Sequence, residues 1–572
     1  MIRNDKITPE GTGDLLFLEC EAQNAVIGLL REGFEKRGYR EVRTPGLEFY
    51  DVFSSKAAYY RPESMYKLTD DRGRLMAVRP DSTIPIARMT ATKLKGSALP
   101  IRIYYAQQVF RRQPELRGKR AEIMQMGIEL IGDAAFESDV EILTAAAESL
   151  AACSPALFRI ELGHVGVFNR LMSLLEAGPE EKERIHGHIA AKNYAALSDV
   201  LEGTPQTDVA EMLRALPRLF GGAEALEEAR ALFRGRDPVL PEMLAYLERI
   251  YGVLRGLDLG DRIMIDLGLV NQAEYYSSLA FKGYTDFSGD AVLFGGRYDG
   301  LFKDFGEDLP ATGFAVHVDA LADGRLKRSL AACGAPREPG PGEPGLPPSE
   351  SKAPAPAVAP QETARLRIAL TKGRLEDAVV AMLARAGCDV GLLRDKGRRL
   401  LLPIPGTNME VVLAKAADVI TYVEHGVCDV GVVGKDTIAE RGGVYYEILD
   451  LGVGKCRFAL AARADADFYG GFGAKRIATK YPNVASSWFE SKGMDVEIIR
   501  IEGSVELAPL LGLADGIVDI VETGGTLREN GLTVIEDIRP VSARMIVNVA
   551  SMKLKKKEID ALAANLQEVR GE

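Results

Sequence analysis

Apolar residues recur at helical spacing over residues 22–37, so the chain opens on an amphipathic helix. Short strands and hairpin signals follow to Gly132, a helix-rich interval spans about 165–255, and strand patterns resume at Arg262. That order predicts an α+β body, an antiparallel sheet with helices. Between residues 334 and 360 the periodicity stops. Nine of the chain's 28 prolines fall there, a composition that builds no core and predicts a semi-rigid, partly polyproline spacer. Strand and helix then alternate to the end. Residues 366–370, 411–413, 430–433 and 516–521 read as buried strands, with helices over 375–386 and 419–426. This region is expected to be α/β with largely parallel sheets. The division that follows is 1–322, a linker at 323–364, and 365–572.

Length changes the picture little: 572 residues exceed one core and suggest roughly three or four domains. The net charge of −11 matters more, because it argues against a nucleic-acid partner. The six cysteines form no Cys-x-x-Cys pair, and the five histidines show no zinc spacing. The N-terminus lacks an apolar signal core, and no run reaches about 18 apolar residues. A cytoplasmic protein without a membrane partner is the expectation.

Candidate chemistry concentrates at the end of the strand 516–521. Two acids, Asp519 and Glu522, run into Thr523-Gly524-Gly525-Thr526. Glycines there let backbone N–H groups converge on an anion, and the threonines add hydroxyl donors. The acids can accept from sugar hydroxyls or help hold Mg²⁺. Phosphate on the loop and ribose on the acids describe a phosphoribosyl site. A plain Gly-Gly hairpin would leave the same four residues, but not the two acids before them, nor Glu506 and Gly512 upstream.

Further motifs precede this loop in order: Thr371-Lys372-Gly373-Arg374-Leu375, Asp418-Val419, Tyr422-Val423-Glu424-His425-Gly426, Gly431-Val432-Val433-Gly434-Lys435-Asp436, Gly454-Lys455-Cys456-Arg457 and Ala478-Thr479-Lys480-Tyr481-Pro482. With them the C-terminal region resembles the short-form catalytic subunit of ATP phosphoribosyltransferase. The resemblance implies a two-lobed fold similar to periplasmic binding proteins. It also implies a reaction joining N1 of ATP to C1 of phosphoribosyl pyrophosphate, with Mg²⁺ carried mainly on substrate phosphates. Asp519, Glu522, Thr523, Gly524, Gly525 and Thr526 are then expected on phosphoribosyl pyrophosphate. Lys372, Gly373, Arg374, Lys455, Arg457, Thr479 and Lys480 are expected on ATP and phosphates, and Arg398, Lys415 and Lys372 in catalysis. Cations suit a step in which charge gathers on departing pyrophosphate. Lys415 stands where the family usually has arginine, and lysine lacks the bidentate fork. Arg399 and Lys435 read as solvated cations, Cys456 as a small packed residue, and His425 as structural or positioning rather than a base.

Residues 1 to about 322 resemble the catalytic core of histidyl-tRNA synthetase, a class II fold. The resemblance rests on Arg79-Pro80-Asp81-Ser82-Thr83, Phe110-Arg111, Gln125-Met126-Gly127-Ile128-Glu129, Glu274-Tyr275-Tyr276, and the segment from Gly295 through Gly300 to Leu301. Three departures argue against an active synthetase. Asn271 replaces the catalytic arginine, Ala320 replaces the ATP-binding arginine of the third motif, and the proline linker stands where an anticodon-binding domain would begin. A pocket for an amino acid survives: Asp81, Thr83, Arg111, Gln125 and Glu129 for the head group, Tyr275 and Tyr276 for an imidazole. This is similar to the regulatory subunit of ATP phosphoribosyltransferase, a synthetase paralogue that binds histidine without activating it. Gly295 to Gly300 reads as a structural turn.

The sequence thus reads as a fusion, regulatory half first. It would be a histidine-inhibited ATP phosphoribosyltransferase in a homo-oligomer, tetramer or dimer. An active synthetase tethered to a transferase, and a non-catalytic solute-binding protein, are the rivals.

Overall fold

The computed structural model describes residues 6–54, 62–113, 118–154, 157–190, 193–202, 204, 206–270, 275–333, 365–470 and 474–571. Contacts divide the chain into two compact units, Met1–Gln361 and Glu362–Glu572. The three or four domains suggested by length are therefore two larger bodies. Most of the expected linker lies outside the described residues. The helix Val318–Cys333 occupies the opening of that span.

In the first unit the opening helix runs Leu18–Lys36 and buries Val26, Leu30 and Phe34 at four-residue spacing, one face of a helix. Strands β1 (Arg40–Glu41), β2 (Leu47–Phe49), β3 (Lys67–Thr69) and β4 (Leu75–Val78) follow. The long pair β5 (Ile101–Phe110) and β6 (Glu122–Ile131) comes next. The remainder are β7 (Phe158–His164), β8 (Phe220–Gly221), β9 (Ile263–Asp266), β10 (Leu279–Thr285), β11 (Leu293–Arg297) and β12 (Ala311–His317). Nine of them form one sheet in the order β1-β5-β6-β12-β11-β10-β7-β9-β8, and β2-β4-β3 form a small one. The expected antiparallel sheet is mixed at its flanks, since β1 pairs parallel with β5 and β7 with β9. Among the described residues of 165–256 helices predominate as expected, interrupted by the two-residue β8. The segment from Gly295 to Gly300 is not simply a turn: it completes β11, and a Cβ on Gly296 would meet the Tyr276 ring at 2.5 Å.

Alternation along β6 decides where the first site lies. Met126, Ile128 and Leu130 enter the main core with Phe34 and Phe314, so Gln125, Gly127 and Glu129 occupy the opposite face. Register sets Glu129 against Gly313, and a Cβ there would fall 1.9 Å from Glu129 Oε2.

The second unit contains β13 (Leu366–Thr371), β14 (Leu401–Ile404), β15 (Met409–Ala414), β16 (Val430–Gly434), β17 (Tyr446–Asp450) and β18 (Cys456–Arg463). After these come β19 (Lys475–Thr479), β20 (Val496–Arg500), β21 (Gly516–Val521), β22 (Leu532–Val541) and β23 (Ala543–Val547). They form two sheets, β14-β15-β13-β16-β23-β17 and β20-β19-β21-β18-β22. The largely parallel expectation holds only for β15-β13-β16 and β20-β19-β21. The chain crosses between sheets through β17–β18 and returns through β22–β23, and those crossing strands pair antiparallel.

Candidate functional sites

In the second unit, parallel register sets Thr371 level with Ala414 and Leu370 level with Val432. The carboxyl ends of β13, β15 and β16 therefore deliver Lys372, Lys415 and Lys435 to one edge, where open α/β sheets receive ligands. Lys372 N donates to Ala414 O at 2.9 Å and Thr371 Oγ1 to Val432 O at 2.9 Å, tying the strand ends together. Lys372 and Lys415 are exposed. Lys435 is structural but not solvated, since its ammonium is drawn inward onto buried Glu447 at 2.6 Å. Gly373 turns the chain into the helix Arg374–Arg385, and Arg374 reaches Glu522 at 3.2 Å.

The other sheet assembles its own edge. Thr479 is level with Val518, and Arg457 with Val521, so the turn after β19, the start of β18 and the loop after β21 converge. Lys455 and Lys480 are exposed there, and Arg457 Nε donates to Asp537 at 2.6 Å. Thr479 corrects the expectation of a phosphate ligand: fully buried, its hydroxyl donates to Val518 O at 2.6 Å and accepts from Tyr481 N at 2.8 Å. It shapes the turn instead. Burial, then the charge of Glu506, pushes the Asp519 carboxyl up to about 6, with Lys480 opposing. Glu522 leads into Thr523 and Gly524, whose φ of +71° favours glycine, and Gly525–Glu529 is a short helix rather than a plain turn.

Arg398 sits exposed in the turn before β14, without a hydrogen bond or ion pair among the described residues. Arg399 is held by the carbonyls of Asp395 and Lys396, which makes it a loop tie. Burial first, then Asp436 and Glu522, raises the Cys456 thiol to about 11, so it stays protonated and packed. His425 is exposed at the end of the helix Ala416–Glu424. Sequence reading passed over Tyr481 as a site residue. Its hydroxyl donates across the sheets to Asp436 Oδ2 at 3.3 Å and its ring packs edge-on against Phe458. Among the described residues no group of three or more His, Cys, Asp or Glu could hold a metal ion.

In the first unit the structure gathers all seven pocket residues on the open face of β5, β6 and β12. Asp81 Oδ1 accepts from the amides of Thr83 and Ile84 at 2.8 and 3.1 Å, leaving Oδ2 3.9 Å from Arg111 Nη2. Arg111 Nε donates to Pro80 O at 2.8 Å. Glu129 is 1% exposed and accepts from Thr83 Oγ1 at 2.8 Å and from the Tyr298 hydroxyl. Burial dominates its environment and raises its carboxyl to about 8. Tyr275 and Tyr276 stand with ring centroids 4.9 Å apart, and Tyr275 meets Tyr298 edge-on.

Four buried polar atoms around this pocket have no protein partner: Ser82 Oγ, Tyr105 OH, Gln125 Oε1 and His317 Nε2. Such atoms are costly unless something bonds them. Tyr105 lies opposite Gly127 and His317 opposite Gln125. Sequence reading missed Tyr105, Tyr298 and His317 as site residues. Tyr298 stands inside the motif Gly295 to Leu301, while Tyr105 and His317 are brought to the site by strand register. Arg79, by contrast, is a brace, its guanidinium donating to the carbonyls of Thr44, Pro45 and Gln108. Ala320 packs half-buried against the main core and offers no cation. Asn271 lies outside the described residues.

Comparison with known proteins returns both halves separately. A family model for histidyl-tRNA synthetase matches residues 11–321, and one for ATP phosphoribosyltransferase matches 415–568. The first half is 39% identical over 319 residues to an ATP phosphoribosyltransferase regulatory subunit of Clostridium kluyveri, covering 55% of this chain and 81% of that protein. The second is 58% identical over 203 residues to an ATP phosphoribosyltransferase of the same organism, covering 36% of this chain and 93% of the relative. A solved structure described as an ATP phosphoribosyltransferase regulatory subunit/histidyl-tRNA synthetase from Bacillus halodurans C is 26% identical, with a TM-score of 0.52. It covers 72% of this chain and 93% of that one.

Proposed function

The chain belongs to the histidyl-tRNA synthetase family through residues 11–321 and to the ATP phosphoribosyltransferase family through its second unit; from that premise we propose a single-chain ATP phosphoribosyltransferase carrying its own regulatory half. It condenses ATP with phosphoribosyl pyrophosphate, the first step of histidine biosynthesis. One observation carries the site assignment: Asp519 and Glu522 run straight into a loop whose Gly524 is αL, and Glu522 meets Arg374 at 3.2 Å.

In this reading the loop Thr523 to Thr526 holds phosphate while Asp519 and Glu522 accept from the ribose hydroxyls. The adenine N1 lone pair attacks C1, and the C1–O bond breaks with its electrons leaving on pyrophosphate. No thiol step is needed, consistent with a protonated Cys456. Lys372, Arg374, Lys415 and Arg398 on one edge, with Lys455, Arg457 and Lys480 on the other, oppose the charge that builds on pyrophosphate. Mg²⁺ would arrive on the substrate phosphates and supply further neutralisation. Asp519, a half-buried acid at the end of β21, would serve it as one carboxylate ligand. The two sheets joined by two crossings support a two-lobed, periplasmic-binding-protein-like fold.

Histidine is the proposed inhibitor, bound in the first unit. The carboxylate pairs with Arg111, the ammonium with Asp81 and Gln125, and the ring lies against Tyr275 and Tyr276 near Glu129. The unsatisfied atoms of Ser82, Tyr105, Gln125 and His317 support a polar ligand there. The test is direct: purified protein with ATP, phosphoribosyl pyrophosphate and Mg²⁺ should form N1-(5-phosphoribosyl)-ATP, and histidine should slow it. Absence of turnover overturns the transferase reading. Histidine-dependent pyrophosphate exchange into ATP would instead restore the synthetase.

A further inference from the structure

We propose that Arg528 is a phosphate-binding residue of the phosphoribosyl loop, a role that rests on the transferase reading above. Its Nη1 donates to Thr523 O at 3.2 Å, and the space a Cβ on Gly524 would take lies 3.3 Å from the same atom. The guanidinium is therefore laid over the αL turn. The short helix Gly525–Glu529 brings this about, because its single turn returns position 528 to the start of the loop.

Charge makes the position informative. The strand end carries Asp519 and Glu522, and a phosphate dianion arriving beside them would meet only amides and hydroxyls from the loop. Arg374 pairs with Glu522 at 3.2 Å and reaches the loop from the other sheet, and among the described residues no ion pair ties Lys480 to the loop. Arg528 pairs with no carboxylate among the described residues. One donor of its fork holds Thr523 O, which fixes the group in place, and the other donors remain uncommitted. A guanidinium anchored this way can take a phosphate bidentately while losing little freedom. A role confined to shaping the loop would need only the bond to Thr523 O and no charge.

The steady-state kinetics of Arg528→Gln and Arg528→Lys in the full chain separate these roles. Arg528→Gln should raise KM for phosphoribosyl pyrophosphate about tenfold or more, the usual cost of a charge-assisted contact, with KM for ATP moving less than about twofold. Arg528→Lys should recover part of the loss, and added salt should raise the wild-type KM more steeply than that of Arg528→Gln. An unchanged KM in Arg528→Gln overturns the proposal. So does a lysine variant as impaired as the glutamine one with the salt response intact, since shape alone would then explain the residue. A wild type without turnover overturns the transferase reading and not the placement of Arg528.

Discussion

Arg374 Nη1 stands 3.2 Å from Glu522 Oε2, so a cation released at the end of β13 in one sheet meets the acid that opens the glycine loop in the other. Both side chains are mostly exposed, at 92% and 60%. An exposed pair of this kind contributes little to stability. Its place across the two sheet edges, with Arg374 two residues after Lys372, suits substrate handling instead. Arg374→Ala should leave the melting temperature within about 2 °C of wild type and lower kcat/KM by tenfold or more. Differential scanning fluorimetry beside steady-state kinetics checks both. A variant that melts much lower with kinetics intact would make the pair a structural tie.

The loop Thr523 to Thr526, proposed to hold phosphate, yields a sharper expectation at Gly524. At φ +71° a β-branched residue is strained, and its Cβ would press on Arg528. Gly524→Val should raise KM for phosphoribosyl pyrophosphate by an order of magnitude or more, as a distorted donor set would. Thr526→Val, which removes one exposed hydroxyl and no backbone freedom, should do so more mildly. Equal and normal constants in both folded variants would remove phosphate from this loop.

Much of this was legible in the chain because the relevant signals are local. The strand β21, its two acids and the glycine turn sit within a dozen residues, and the proline-rich segment marks the division between two units. What escaped reading depends on register and tertiary contact. Tyr105 becomes a pocket residue only because β5 sets it opposite Gly127, and His317 only because β12 sets it opposite Gln125. Thr479 is expected on phosphate only through its place in the motif Ala478 to Pro482. Here Val518 O and Tyr481 N claim its hydroxyl. Arg528 gave no signal, since nothing in its neighbours' identities shows that a five-residue helix folds it back.

Arg398 is exposed and makes no hydrogen bond or ion pair among the described residues, so removing it leaves no buried charge behind. If it acts on departing pyrophosphate, its interaction strengthens as the C1–O bond breaks. Arg398→Ala should then lower kcat more than it raises KM for either substrate. Loss of ATP affinity with kcat preserved would make it a ground-state contact.

Glu129 makes stability depend on pH in a direction that can be worked out. Its folded value, about 8, lies above the ordinary carboxyl value of 4.5, because burial disfavours the anion. Between those values the folded state holds the proton that the unfolded state has released, so stability falls as pH rises across that window. Glu129→Gln, which imitates the protonated carboxyl, should therefore melt above wild type at pH 8.5 and near it at pH 4.5. His317 opposes at the acid side: burial lowers it to about 3, so its neutral form loses stability as pH falls below the ordinary 6.5. A wild-type melting curve flat from pH 5 to 8 and matched by the glutamine variant would show that Glu129 is ionised throughout.

The regulatory half is tested by separating inhibition from turnover. Arg111 offers the head group a cation tethered by Pro80 O and close to Asp81, in a pocket where the buried atoms Ser82 Oγ, Tyr105 OH, Gln125 Oε1 and His317 Nε2 have no hydrogen-bond partner. Arg111→Ala should weaken histidine binding about tenfold to a hundredfold, the cost of one charge-assisted contact, while turnover without histidine stays near wild type. Inhibition must then pass between the units as a coupling free energy, and such coupling is reciprocal. Whatever factor histidine imposes on substrate affinity, ATP or phosphoribosyl pyrophosphate must impose on histidine. Calorimetric titration of histidine with and without each substrate measures that factor from one side, and substrate titration with and without histidine measures it from the other. Unequal factors would mean that the two ligands do not act on one equilibrium. Histidine affinity that survives Arg111→Ala unchanged would move the inhibitor to another site and leave the synthetase-like pocket without its proposed ligand.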